Sequence, residues 1–434
     1  MLFKNIAVLT KDFDVLENQF VACDKAITYI EGVKPPEYSG REIDGKGKLL
    51  MPAFVNAHAH SPMTLLRGYG ENMVLQDWLT KKIFPFESHL TGEDVYNGTL
   101  LAMAESLRNG IVSTTDMYYF CEDMIRAAND ARCKLNVSRA FAGAPNEGDD
   151  IGSYPSYREA RGLYEAFHDT SDGRIRVDMS LHAEYTSNER LVRALSEMAG
   201  EFESPVHVHI SETKAEHEEC KSRHGGATPI EYLDSLGLFE HGGTAAHCVW
   251  ISENDARIMS EKGVIAATCP VSNLKLASGV MDAPMLLSVG VDIALGTDGA
   301  ASNNSLSLLE EIKLFSILTK ERYKDPTLIA PREALYAATR AGFVSQGRPD
   351  CGYVEVGGKA DLIVLDISSP GMNPIHNMKN NIVFSAGQGD ILMTVSDGEI
   401  LYDNGEYTSI DIEKAIFEAA KSTRRILGEL DAAS

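Results

Sequence analysis

No run in this chain approaches the ~20 consecutive apolar residues that span a bilayer. The opening MLFKNIAVLTKDFDV carries charges where a signal peptide needs an unbroken apolar stretch. Both absences predict a soluble, cytoplasmic protein. Basic residues are in short supply: 40 Lys and Arg stand against 63 Asp and Glu, a net charge of −23, with the acids scattered rather than gathered into a tail. Such a surface repels nucleic acid and anionic membranes, so partners of those kinds are not expected. Seven cysteines, Cys23, Cys121, Cys133, Cys220, Cys248, Cys269 and Cys351, include no CxxC spacing. Their odd number fits reduced thiols better than a disulfide framework. Internal repeats and low-complexity linkers are missing as well.

What is present is a chain of 434 residues with 44% hydrophobic content, enough for one α/β barrel with a smaller attached module. From residue 51 to 355, short β-rich runs alternate with longer segments of helical spacing. Strands are read at 49–60, 111–118, 134–141, 175–183, 205–211, 244–249, 264–270 and 291–298. Between them lie helical patterns such as TGEDVYNGTLLAMAESLRNG and ISENDARIMSEKG, the second ending at a glycine suited to a helix C-terminus. Eight strands alternating with helices predict an α/β fold of the (β/α)8, TIM-like barrel type. The flanks, 1–50 and 356–434, are short alternating strands punctuated by Asp44-Gly45, Gly357-Gly358, Asp397-Gly398 and Asn404-Gly405. Neither flank alone can bury a core, so both chain ends are expected to build one small β-sandwich module. The tail is read as an amphipathic helix with Ile412, Ile416, Ala419 and Leu427 on one face.

In such a barrel, residues at the C-terminal strand ends converge on one mouth. The first strand ends in NAHAH, placing His58 and His60 two apart and so on one face. An isolated pair of that kind is as readily a satisfied polar pair at a strand end. The other strands decide between these readings. The fourth ends in His182, the fifth in His209 followed by Glu212, the sixth in His247 and the eighth in Asp298. His58, His60, His209 and Asp298 make a sensible ligand set for a divalent ion such as zinc, and a water on that ion would have its pKa lowered to about 7. Glu212 is placed beside the ion to move protons; His247 and His182 are placed to polarise or orient an electrophile. His207 shares a face with His209 one layer deeper and is read as a packing or supporting histidine. His217, His224 and His241 are read as solvated. His182-Ala183-Glu184 matches half of the small zinc nucleobase deaminase pattern, but the PCxxC half is missing, which excludes that fold and not the reaction.

The stretches MPAFVNAHAHSPMTLLRGYGENMVLQDWL, HVHISET, AAHCV, SNLKL, LGTDGAASNNSL and GGKADLIVLD resemble the amidohydrolase superfamily, and within it the S-adenosylhomocysteine/5′-methylthioadenosine deaminases, over nearly the whole chain. The resemblance implies metal ligation by His58, His60, His209 and Asp298, proton transfer by Glu212, and stabilisation of the attacking water or the intermediate by His247. It further implies that Asp298 takes the water's proton and that His182 contacts the purine. Trp78 falls on a pocket wall, Glu87 on the carboxylate that binds ribose hydroxyls, and Arg139 on the far end of the substrate, with Arg158 as an additional contact. Two-metal relatives carry a lysine near the fourth strand; RVDMSLHA has none, so one divalent ion per chain, zinc or else iron, is implied. The expected partner is a small purine nucleoside, with a homo-oligomer as a family-level expectation. The same site also admits a guanine, pterin or triazine hydrolase, and a barrel that has lost catalysis would have little need for Glu212 and all four ligands.

Overall fold

The computed structural model describes residues 1–433. Five strands open the chain: β1 (Leu2–Leu9), β2 (Val15–Cys23), β3 (Ile27–Glu31), β4 (Glu42–Asp44) and β5 (Lys48–Pro52). The barrel strands follow as β6 (Phe54–Ala59), β7 (Ile111–Met117), β8 (Lys134–Ser138), β9 (Ile175–Val177), β10 (Met179–Leu181), β11 (Val206–Ile210), β12 (Gly243–His247), β13 (Val264–Thr268) and β14 (Ile293–Leu295). Four more, β15 (Leu362–Asp366), β16 (Ile391–Ser396), β17 (Glu399–Asp403) and β18 (Glu406–Tyr407), precede a terminal helix at Ile412–Ala433.

The run read as one strand at 49–60 is two. Proline 52 has no N–H to continue a ladder, and past it the chain changes partners: Ala53 N donates to Asp361 O, whereas Phe54 N donates to Gly110 O. β5 therefore lies in the flanking sheet and β6 begins the barrel. The run read at 175–183 is also split, at Asp178, where β9 pairs with β8 and β10 pairs with β11. Parallel pairing carries β6 to β9 and β10 to β14. Parallel bridges at Phe141–Leu181 and Ala59–Asp298 join these two arcs and close the barrel.

The barrel helices start where their caps say. Thr91 and Asp94 form a capping box on Gly92–Arg108; Ser252 and Asp255 do so on Glu253–Lys262, which ends at Gly263 with φ 68°. Both chain ends meet in one nine-stranded sheet, where β5 runs parallel to β1 and antiparallel to β15. Phe3, Val8, Val21, Leu50, Leu362 and Val395 form its buried apolar cluster. The terminal helix lies on the barrel helix Gly92–Arg108, held by Arg425 on Asp94 and by Asn97 Nδ2 donating to Ser422 Oγ at 3.3 Å. Its buried face is Ala415, Ala419, Ser422 and Ile426, while Ile416 is exposed. That corrects the apolar stripe read from the sequence: a small, partly polar face fits closely against a neighbouring helix, and the larger Ile416 is left outside. All seven cysteines are free and buried. Among the described residues, no helix is long and apolar enough to cross a membrane.

Candidate active site

Three barrel strands end in residues with left-handed backbone: Ser211 after β11 (φ 50°), His247 at the end of β12 (φ 72°) and Asp298 after β14 (φ 61°). Non-glycine residues held there cost of the order of 1–3 kcal/mol each and persist only where surrounding contacts over-determine them. Here the contacts are evident. Asp298 N donates to His58 O at 3.0 Å across the barrel closure. Gly296, two residues earlier, lies so near β6 that a Cβ on it would stand 2.8 Å from both the N and the O of His58.

His58, His60 and His209 bring their ligating nitrogens within 4.8 Å of one another. His60 Nδ1 lies 2.7 Å from the Met117 carbonyl oxygen, and His209 Nδ1 lies 2.7 Å from that of His182. A carbonyl only accepts, so each Nδ1 carries the ring proton and each Nε2 of the neutral ring keeps a lone pair. Those lone pairs face each other at 3.2 Å. Asp298 Oδ1 is 3.4 Å from His60 Nε2 and 3.7 Å from His58 Nε2. His58 Nε2 is buried with no hydrogen-bond partner; its Nδ1 pairs with His207 Nε2 at 2.9 Å. Burial, reinforced by the neighbouring imidazoles, holds His58 and His209 well below the usual histidine pKa, so both are neutral near pH 7. His58 Nε2, unpartnered and facing Asp298 Oδ1, and the neighbouring ring nitrogens converge with the carboxylate on one point that a cation would satisfy. The residues fit a divalent metal, and the N3O donor set suits a borderline-soft ion.

Asp298 is aimed by its neighbours. Ser272 and Ser302 hydroxyls donate to Oδ2 at 2.6 and 2.8 Å, which turns Oδ1 toward the imidazoles. Burial opposes its charge, but His60, His247 and the two serines outweigh burial and keep its pKa below the ordinary value. Glu212 is buried beside the cluster, and burial raises its pKa, with His247 only partly offsetting that. Ser278 Oγ donates to Glu212 Oε1 at 3.3 Å, and His247 Nε2 lies 3.9 Å from Oε2. Burial lowers the His247 pKa, but Glu212 and Asp298 reverse the shift and raise it. Its Nδ1 is 2.9 Å from Asn273 Oδ1. Glu216 stands behind Glu212, accepting from the backbone N–H groups of Ser211 (2.7 Å) and Glu212 (2.8 Å) as part of the Thr213 capping box.

Above this cluster opens a cavity of about 960 Å³, counting its mouth, whose lining includes His60, His182, His209, Glu212, His247 and Asp298. Trp78, Glu87 and Arg139 also line it. Trp78 is buried. Glu87 Oε1 accepts from the Tyr118 hydroxyl at 2.7 Å, and burial pushes the carboxyl up to about 7 despite that bond. Arg139 pairs with Glu159 and stacks 4.9 Å from the Tyr119 ring centroid. His182 Nδ1 pairs with Thr186 Oγ1 at 2.9 Å, and burial lowers its pKa to about 4. Of the residues expected at the site, ten meet here; Arg158, on the helix Pro155–Phe167, is exposed and does not line the cavity.

Two histidines read as solvated are not. His217 is buried with Nδ1 3.2 Å from Ser211 Oγ, and His224 is half-buried, 2.8 Å from Glu184. The helix Lys214–Arg223, which carries His217 and is followed by His224 at its C-cap, buries Glu216, His217 and Cys220 despite its polar sequence. Sequence reading also passed over Tyr118, Glu216, Ser272, Asn273, Ser278 and Ser302. Glu216 was legible as the last member of Thr-x-x-Glu, a capping-box spacing. Ser272 and Asn273 sit in the noted SNLKL motif, but a hydrogen bond to a side chain on another strand leaves no periodicity to detect.

A family model described as the amidohydrolase family matches residues 49–401. The chain belongs to the amidohydrolase family. It is 38% identical over 422 residues to a 5-methylthioadenosine/S-adenosylhomocysteine deaminase of Dictyoglomus thermophilum, covering 97% of each chain. It is also 36% identical to a 5′-deoxyadenosine deaminase of Methanosarcina mazei, covering 99% of each. Within the amidohydrolases it is thus a member of the 5-methylthioadenosine/S-adenosylhomocysteine deaminase family. Among solved structures it is similar to a zinc-bound adenosine deaminase from Xanthomonas campestris, with a TM-score of 0.91 at 30% identity and 98% coverage of both chains. A guanine deaminase from C. acetobutylicum shares the fold, with a TM-score of 0.82 at 21% identity over 92% of this chain and 99% of that one.

Proposed function

We propose that this chain hydrolyses the 6-amino group of adenine nucleosides, with 5′-methylthioadenosine, S-adenosylhomocysteine and adenosine as substrates, using one divalent ion, zinc, per chain. The observation that carries the reading is the meeting of the converging His58, His60, His209 and Asp298 cluster with a buried Glu212 and a half-buried Glu87 around one cavity. The deaminase relatives support the substrate class.

His58, His60, His209 and Asp298 hold the ion, which when bound supplies Lewis acidity and a water acidified to a pKa of about 7. Asp298, ionised because its pKa is held low, takes the proton that the water loses as its oxygen bonds to C6. Glu212, whose buried position favours holding a proton, delivers it to N1, so the ring need not carry a full negative charge. His247, with its Nδ1–H donated to Asn273 Oδ1, turns the Nε2 lone pair toward the attacking water and accepts a hydrogen bond from it. The amino group leaves as ammonia with the proton taken back from Asp298, and Glu212 recovers its proton from the C6 hydroxyl. Glu87, its Oε1 held by Tyr118, hydrogen-bonds the ribose hydroxyls through the other oxygen. Arg139 lies on the side of the 5′ substituent, and Trp78 forms an apolar wall.

The test is the ultraviolet loss of adenine absorbance on 5′-methylthioadenosine, S-adenosylhomocysteine, adenosine and free adenine. The three nucleosides react and adenine, lacking the ribose, lags by at least ~10²-fold. Equal rates on adenine would remove Glu87 from its role, and inertness toward all four would overturn the reading.

A further inference from the structure

One short segment after β13 touches three of the reacting groups. From Ser272 to Ser278, Ser272 Oγ donates to Asp298 Oδ2 at 2.6 Å, Asn273 Oδ1 accepts from His247 Nδ1 at 2.9 Å, and Ser278 Oγ donates to Glu212 Oε1 at 3.3 Å. All three side chains are buried, Asn273 to 1% exposure. The segment is itself pinned. Asn273 O accepts from Ser278 N at 2.8 Å, Trp250 Nε1 donates to Ser278 O at 2.9 Å, and Val271 N donates to Glu311 Oε2 at 3.0 Å. An amide oxygen can only accept, so its bond to His247 selects the tautomer with the proton on Nδ1. Without it, the ring is free to move its proton to Nε2 or to turn, because Glu212 Oε2 at 3.9 Å from Nε2 is too far to hold it by a hydrogen bond.

We propose that Asn273 is a positioning residue for the deamination: it fixes the tautomer and orientation of His247 so that Nε2 addresses the reacting oxygen, on the same segment that aims Asp298 and Glu212. This rests on the deaminase reading for its kinetic consequence, though the tautomer itself can be read without substrate. An acceptor behind a catalytic imidazole acts on the rate rather than on substrate binding.

The experiment compares wild type, Asn273→Leu, Asn273→Asp, His247→Ala and the His247→Ala/Asn273→Leu pair, all metal-loaded. In Asn273→Leu, kcat falls by about 10- to 100-fold while KM stays within about threefold and metal content is unchanged. Asn273→Asp, whose carboxylate accepts the same proton, regains most of that loss. In the His247→Ala background the leucine adds less than about twofold, because its partner is already gone. A loss that multiplies in the pair, a loss seen in KM instead, or an Asp variant as poor as Leu overturns the proposal. If the leucine variant does not fold, Asn273→Ala carries the same cycle. Imidazole nitrogen NMR gives the second readout: the His247 Nδ1–H tautomer seen in wild type is lost in Asn273→Leu. Wild type inert toward every adenine nucleoside refutes the deaminase reading alone, whereas unchanged His247 signals in Asn273→Leu refute the positioning role alone.

Discussion

Adding a single methyl group at Gly296 should damage both the barrel and the chemistry. The Cβ would stand 2.8 Å from His58 N and 2.8 Å from His58 O, against 3.4 Å for ordinary contact, so β14 and β6 must part by roughly 0.6 Å. Both contacts are backbone atoms, which no rotamer change can move. Overpacking of this kind costs about 1–3 kcal/mol. The displacement also falls between two ligands, since His58 lies on β6 and Asp298 follows β14 by three residues. A misplacement approaching 1 Å at reacting groups reduces rates by about 10²-fold, so Gly296→Ala should lower kcat by about 10- to 100-fold and reduce metal occupancy. Gly162, in the helix Pro155–Phe167 with open space where its Cβ would be, is the control; its change to Ala should leave activity intact and add roughly 0.5–1 kcal/mol. The assay is thermal unfolding, metal content and ammonia release on all three proteins. Full turnover and full metal content in Gly296→Ala would refute the claim that the close approach of β14 to β6 sets the ligand geometry.

Lys134→Met should destabilise the fold by about 3–5 kcal/mol by denaturant unfolding, because it strands Asp361, which Lys134 meets at 2.6 Å deep below the site; a loss under about 1 kcal/mol would contradict this. Burial alone would raise the Asp361 pKa, but Lys134 holds it below its ordinary value, so the pair's stabilisation is present above the unfolded carboxyl pKa and lost as pH falls through the lowered one. Wild type should therefore lose stability more steeply on acidification than Lys134→Met. Glu212→Gln should abolish most of kcat with metal content unchanged, since the amide cannot cycle a proton to N1; near-normal turnover would remove Glu212 from that role. Tyr118→Phe frees Glu87 and should raise KM for nucleosides by roughly 2- to 10-fold, the worth of one hydrogen bond, with kcat within about threefold.

Much of the fold was legible because each barrel element carries its own period and stop signal, as in TGEDVYNGTLLAMAESLRNG and in ISENDARIMSEKG with its terminal glycine. The joint at Pro52 was not, because an unbroken apolar run from 49 to 55 conceals a change of sheet that depends on which distant strand accepts each N–H. Ile416 misled for a related reason: apolar spacing on the tail helix says nothing of the small face, Ala415, Ala419 and Ser422, that its neighbour admits. At the site, His58, His60, His209, Glu212 and Asp298 were readable because strand ends in a barrel must converge. Tyr118 and Asn273 were not, because they act through hydrogen bonds between residues 31 and 26 positions apart.

The central claim is that His58, His60, His209 and Asp298 gather around one cation. Elemental analysis of purified protein, stripped of metal and then titrated with zinc, measures it directly. One tightly held ion per chain in wild type, falling to well under one in a His209→Ala variant, is the predicted result; no retained ion, two ions, or undiminished binding without His209 would contradict it.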